Sequence, residues 1–203
     1  MAFAPRSSAD CLGGDASDTL RRVQPYLAQT PLGAHGRVWD VHCWALPAAS
    51  HAASAPVALC MHGHGHSCCV TSWIKFFAPL HAAGFNIIAL DAPCFGRSGG
   101  SARESGQANL WRADDAALVI RLLRSFGVAP ASQRTTAFAQ CMGGAMFLRA
   151  LSATPGMFSP FHVLLNVTIG NFPHNIADIL RSKGGALLAY HEVDRDHLRE
   201  AVA

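Results

Sequence analysis

The chain has 203 residues, 50% of them hydrophobic, and its 16 basic and 13 acidic side chains leave a formal charge of +3. That length and composition suit one compact domain with a sizeable core rather than two ordinary ones. The mild positive balance comes without a clustered Lys/Arg stripe, so no nucleic-acid partner is implied, and the apolar runs fall far short of the roughly 18 residues of a membrane span.

The first residues carry no apolar signal-peptide core, and Asp10, Asp15 and Asp18 are unlike an acid-poor transit peptide. Seven cysteines, an odd number with no secretory signal, fit a reducing compartment, and the expected location is the cytosol. Residues 1–33 are expected to be a loose leader rich in Ala, Ser, Asp and Gly, with one short helix near 19–27, and residues 34–203 the ordered domain.

Alternation at Val38, Val41 and Trp44 predicts a strand over 37–46, followed by an Ala/Ser loop over 47–55. Residues 56–61 and 85–90 are continuous apolar runs of the kind covered on both faces of a sheet. Between them, Trp73, Phe77 and Leu80 give helical spacing over 73–83, where Pro79 either kinks the helix or marks its first turn. The clearest helix is 109–126: Trp111, Leu118, Leu122 and Phe126 share a face, Arg112, Arg121 and Arg124 lie off it, and Asp115 interrupts it. A short strand over 135–138 and a helix over 145–151 follow, then strands over 161–168 and 186–190 around a short helical 176–183. Strands alternating with helices predict an α/β fold with a mainly parallel sheet flanked by helices.

Chemistry collects where such a sheet places its site, beyond the carboxyl ends of the strands. His62-Gly63-His64-Gly65-His66-Ser67 follows the first buried strand, Asp91-Ala92-Pro93-Cys94-Phe95-Gly96-Arg97-Ser98 the second, Cys141 the third, and Glu192-Val193-Asp194 the last. Ala139-Gln140-Cys141-Met142-Gly143-Gly144 has the layout of a nucleophile elbow, G-x-S-x-G, with cysteine for serine and alanine for the first glycine. An elbow holds its nucleophile in a strained strand-to-helix turn, and Gly143 and Gly144 supply the room it needs. Cys141 then stands at a helix N-terminus, where the macrodipole and free N–H groups favour negative charge on sulfur. The competing reading of Cys141 is a buried core cysteine.

From Arg37 onward these motifs resemble the α/β-hydrolase superfamily. The His62-Gly63 pair after a strand resembles its oxyanion loop. The D-x-P-x-x-G-x-S run resembles its next-strand turn, with Cys94 where glycine is common, and the Cys141 elbow is similar to that of dienelactone hydrolases, which use a Cys-His-Asp triad. The interval between Thr168 and Ala186 is too short for an inserted cap, so the layout resembles the small lidless members. The resemblance implies Cys141 as nucleophile, with the N–H of Met142 and that of His64 or Gly65 as oxyanion donors. It implies Asp194 as the acid, with Glu192 and Asp196 as its neighbours, and a small carboxylic ester, thioester or lactone as substrate, with no cofactor.

The superfamily's triad histidine follows the acid, usually a few tens of residues later, whereas this chain stops nine residues past Asp194. His197 lies too close in sequence to reach across easily, and His191 meets Cys141 only if its loop folds inward. The resemblance thus implies a truncated product or a degenerate relative with impaired turnover, or a non-catalytic interaction protein on the same fold. His62, His64 and His66, in H-x-H-x-H spacing, offer a further alternative, a metal-dependent hydrolase. Trp73 either walls the pocket or packs in the core. Cys68 and Cys69 are expected to pack at a helix start, Arg97 to be a solvated turn residue, and His81, His162 and His174 to be surface or satisfied histidines.

Overall fold

The computed structural model describes residues 21–32, 37–48, 54–64, 68–99, 115–165, 167 and 187–190. Its strands are β1 (Gln24–Leu32), β2 (Arg37–Leu46), β3 (Val57–Met61), β4 (Asn86–Leu90), β5 (Thr135–Gln140), β6 (His162–Leu165) and β7 (Leu187–Tyr190). Its helices are α1 (Ile74–Ala82), α2 (Asp115–Ser125) and α3 (Met142–Ala153), with single 3-10 turns at Val70–Trp73 and Pro155–Met157. The strands form one sheet in the order β1-β2-β4-β3-β5-β6-β7. β1 and β2 run antiparallel at one side, and β4, β3, β5, β6 and β7 run parallel.

The apolar runs become central strands because both of their faces are covered. In β3, Val57, Leu59 and Met61 enter one core and Ala58 and Cys60 the other; in β4, Ile88 and Leu90 oppose Ile87 and Ala89 in the same way. The first core is closed by α2, through Leu118, Val119, Leu122 and Leu123, and by α3, through Met146, Phe147, Ala150 and Leu151. The second is closed by Trp73 and by Phe77 of α1. In α2, Arg121 and Arg124 face solvent while Leu118 and Leu122 are buried, the split their spacing predicts. Among the described residues, no helix is long and apolar enough to cross a membrane.

Several elements differ from expectation. The helix expected near 19–27 gives way at Gln24 to β1, so the sheet begins inside the segment 1–33 read as leader. Pro25 and Pro31 are tolerated because, among the described residues, β1 pairs with β2 alone, and an edge strand need not donate from every residue. Pro79 sits well inside α1, past its first turn. Residues 109–114 of the expected helix, Trp111 and Arg112 among them, lie outside the described residues, and α2 is described from Asp115. β5 runs to Gln140 and α3 starts at Met142, leaving Cys141 alone between them. The helix expected over 176–183 lies outside the described residues.

Candidate active site

Register brings the motif-bearing strand ends together. Met61 of β3 is level with Leu90 of β4 and with Ala139 of β5, and Gln140 is level with Leu165 of β6. His62, Asp91 and Cys141 therefore leave the sheet along one edge. β3 lies between β4 and β5, so Asp91 and Cys141 stand two strand spacings apart, roughly 10 Å.

Cys141 has φ 47° and ψ −113°, a left-handed conformation that a residue with a side chain adopts only when its surroundings impose it. The constraints are visible on both sides. The Cys141 N–H donates to the Leu165 carbonyl at 2.9 Å, fixing the end of β5 to β6. The Gly143 N–H donates to the His62 carbonyl at 3.1 Å, fixing the start of α3 to the end of β3. A Cβ on Gly143 would lie 2.6 Å from the His62 oxygen and 2.7 Å from that of Met61, so only glycine lets the helix seat there. A Cβ on Gly144 would overlap the side chain of Val167. Gly63 lies beside the thiol-bearing residue itself, 3.2 Å from the Cys141 Cβ to where its own Cβ would be. Met142, as first residue of α3, has no intrahelical acceptor for its N–H. Among the described residues no other acceptor takes it, and none takes the His64 N–H.

Two buried polar residues organise the loops around this edge. Asp91, 1% exposed, accepts from Val70 N–H at 2.6 Å on Oδ1, and from Arg97 N–H at 2.9 Å and His42 Nδ1 at 2.8 Å on Oδ2. Its carbonyl accepts from the Ser98 hydroxyl at 2.6 Å, which in turn accepts from the His42 N–H at 2.9 Å. A Cβ on Gly96 would overlap the Asp91 carboxyl group, so the turn closes directly over it. His62, also 1% exposed, bonds through Nδ1 to the Gly63 carbonyl at 2.7 Å and accepts on Nε2 from the Ala92 N–H at 2.9 Å. Burial pushes its imidazole below the ordinary histidine range, against the opposing pull of the Gly63 carbonyl and the Asp91 charge. Burial and then the Asp91 charge push the Cys43 thiol up to about 12, and burial alone raises that of Cys60.

The sequence matches no protein-family model and no curated protein. Solved structures share its architecture. A thioesterase domain from the curacin biosynthetic pathway superposes with a TM-score of 0.55 at 17% identity, over 79% of this chain and 52% of that one. An epoxide hydrolase from Vigna radiata gives 0.54 at 15% identity, over 74% and 42%. A CIB-like hydrolase from Thermoplasma acidophilum gives 0.51 at 20% identity, over 88% and 95%. This chain has the α/β-hydrolase fold. It spans about half the length of the curacin thioesterase domain, 52%, and nearly all of the Thermoplasma hydrolase, 95%.

Within the α/β-hydrolase fold, the structure brings Gly63, Cys141 and Gly143 together, and His62 and His64 follow the end of β3 in the same loop. Gly65 and His66 lie outside the described residues, as do His174, His191, Glu192, Asp194, Asp196 and His197. β7, the strand that precedes Asp194, pairs in parallel with β6. Both ring nitrogens of His62 are engaged, so it cannot ligate a metal without giving up a bond, and no group of three or more metal-binding side chains forms among the described residues. Trp73, 3% exposed, packs in the core with Cys60, Val70 and Phe77, the second of its two expected roles. Cys68 and Cys69 are half-buried just ahead of the 3-10 turn, and Arg97 is an exposed turn residue whose backbone holds Asp91. His162 is buried, accepting from the Ala137 N–H and packed on Phe147, while His81 bonds to the Pro47 carbonyl. Sequence reasoning missed His42 and Phe95. Their partners lie far along the chain or across the loop, and only the D-x-P-x-x-G-x-S turn hints at Phe95.

Proposed function

We propose that this protein transfers the acyl group of a small carboxylic ester, thioester or lactone to the thiol of Cys141, as the first half of a hydrolytic reaction. The observation that carries the reading is the backbone of Cys141, held at positive φ between a strand and a helix that glycines seat without room for side chains. Strain of 1–3 kcal/mol at a single residue persists only where the surroundings over-determine it, and such residues cluster at functional sites. A core cysteine has no need of that conformation.

In the proposed step the Cys141 thiol gives up its proton to solvent and its sulfur attacks the acyl carbon; a C–S bond forms, the C–O or C–S bond to the leaving group breaks, and the expelled alkoxide or thiolate takes up a proton from solvent. The tetrahedral oxyanion is received by the N–H groups of Met142 and His64, donors that no acceptor takes among the described residues. Each such donor is worth about 3 kcal/mol of transition-state stabilisation. Release of the acyl group by water is assigned to a base oriented by Asp194, which follows β7. His62 is not that base, because its Nε2 already accepts from Ala92 and its Nδ1 serves the Gly63 carbonyl. That the fold is shared with a thioesterase domain and with carboxylesterases fits acyl chemistry.

Stopped-flow release of p-nitrophenolate from p-nitrophenyl acetate tests the reading. A burst of one equivalent per chain is expected, lost in Cys141→Ala. A burst that survives this substitution would refute the assignment.

A further inference from the structure

We propose that His62 is a positioning residue of the acyl-transfer site, its imidazole holding the Gly63–His64 peptide so that the His64 N–H faces the reacting carbonyl oxygen at Cys141. The inference rests on the reading of Cys141 as the acyl acceptor and assigns how its second oxyanion donor is set.

The two ring bonds fix the tautomer. An amide N–H can only donate, so Nε2, which meets the Ala92 N–H at 2.9 Å, carries no proton. The ring proton is therefore on Nδ1, and it is donated to the Gly63 carbonyl at 2.7 Å. That carbonyl and the His64 N–H belong to one peptide unit, and in a trans peptide they point in opposite directions. Capturing the oxygen on the His62 side turns the N–H to the other side. Gly63 itself lies against the Cys141 Cβ, so the peptide that is being oriented borders the nucleophile. The Phe95 ring packs on both imidazoles, with centroids 5.3 Å from His62 and 5.5 Å from His64, and braces the loop from the turn that follows β4. Ala92, His62 and Gly63 thus form one continuous line of hydrogen-bonded groups from just past the end of β4 to the edge of the site.

The test separates acyl transfer, which needs the oxyanion donors, from alkylation, which does not. Acylation of Cys141 by p-nitrophenyl acetate and its alkylation by iodoacetamide are measured in the wild type, His62→Leu, His62→Gln and His62→Asn. Asparagine places an amide donor near the position of Nδ1, whereas glutamine reaches toward Ala92 and leucine does neither. Acylation is expected to fall about a hundredfold in His62→Leu and His62→Gln, the size of losing one oxyanion donor, and to recover to within about tenfold of wild type in His62→Asn. Alkylation is expected to change less than about threefold in all three. Acylation at wild-type rate in His62→Leu, or parallel losses with both reagents, would overturn the proposal. If the substituted chains do not fold, nitrogen-15 spectra of the wild-type His62 ring decide: a proton on Nδ1 supports the assignment and one on Nε2 contradicts it. A wild type that is alkylated but never acylated at Cys141 would instead defeat the underlying reading of the nucleophile.

Discussion

Gly63 stands so close to Cys141 that a methyl group added to it would lie 3.2 Å from the Cys141 Cβ. The neighbour there belongs to a turn held on both sides, so it is the Gly63 loop that must give by a few tenths of an ångström. Gly63→Ala is therefore expected to fold with a stability within about 0.5 kcal/mol of wild type. Its acylation of Cys141 should fall about tenfold, because misplacing a reacting group by ~1 Å costs on the order of a hundredfold. Burst rates and urea midpoints on the same variant check both halves.

Gly143→Ala meets backbone rather than a yielding side chain, at 2.6 Å from the His62 oxygen and 2.7 Å from that of Met61. α3 must then lift from the end of β3, at a cost of about 1–3 kcal/mol. A lowered urea midpoint together with slower Cys141 acylation is the expected outcome. An unchanged midpoint would mean that the helix is not seated on that strand end.

Asp91 should be the most sensitive polar residue in the described structure. Asp91→Ala strands the donors of Val70, Arg97 and His42 at a buried position, and a loss of at least about 3 kcal/mol is expected. Asp91→Asn keeps one acceptor and should lose less. Equal midpoints for the two variants would show that the three donors find acceptors elsewhere.

The strands themselves were legible because β3, β4 and β5 are short runs, each followed by a motif that ends it, and β6 and β7 are further apolar runs. β1 was not, since Pro25, Pro31 and the polar residues between them hide a strand that pairs with β2. The elbow was legible from residue type: small residues at 139, 143 and 144 announce a close approach before the partner surface is known. What those glycines approach, the carbonyls of Met61 and His62 and the side chain of Val167, comes from another strand and a distant loop. The His42–Asp91 pair was invisible for the same reason, its members lying 49 residues apart, one in β2 and the other just past the end of the antiparallel β4. Spacing gave Trp73 a helical face but could not say whether that face turned to the pocket or to the core.

Stability should be greatest between about pH 6.5 and 9. Burial holds the native His62 below the ordinary 6.5, so as the pH falls through 6.5 the unfolded chain gains a proton that the native state refuses, and stability declines until the lowered native value is reached. At the other end, thiols in the unfolded chain ionise near 9.0 while burial holds native Cys43 up to about 12 and raises Cys60, so stability declines as the pH rises above 9.0. Urea midpoints across this range check both limbs. His62→Asn should flatten the acid limb, and Cys43→Ala the alkaline one.

The central claim is that Cys141, among the seven cysteines, is the acyl acceptor. Its most direct test is peptide mapping by mass spectrometry after brief exposure to p-nitrophenyl acetate at less than one equivalent. The account predicts an acetyl thioester on the peptide that carries Cys141, with the buried Cys43 and Cys60 unmodified and Cys11, Cys68, Cys69 and Cys94 modified only later. An acetyl group distributed evenly over the cysteines, or found first on any of the other six, would contradict it.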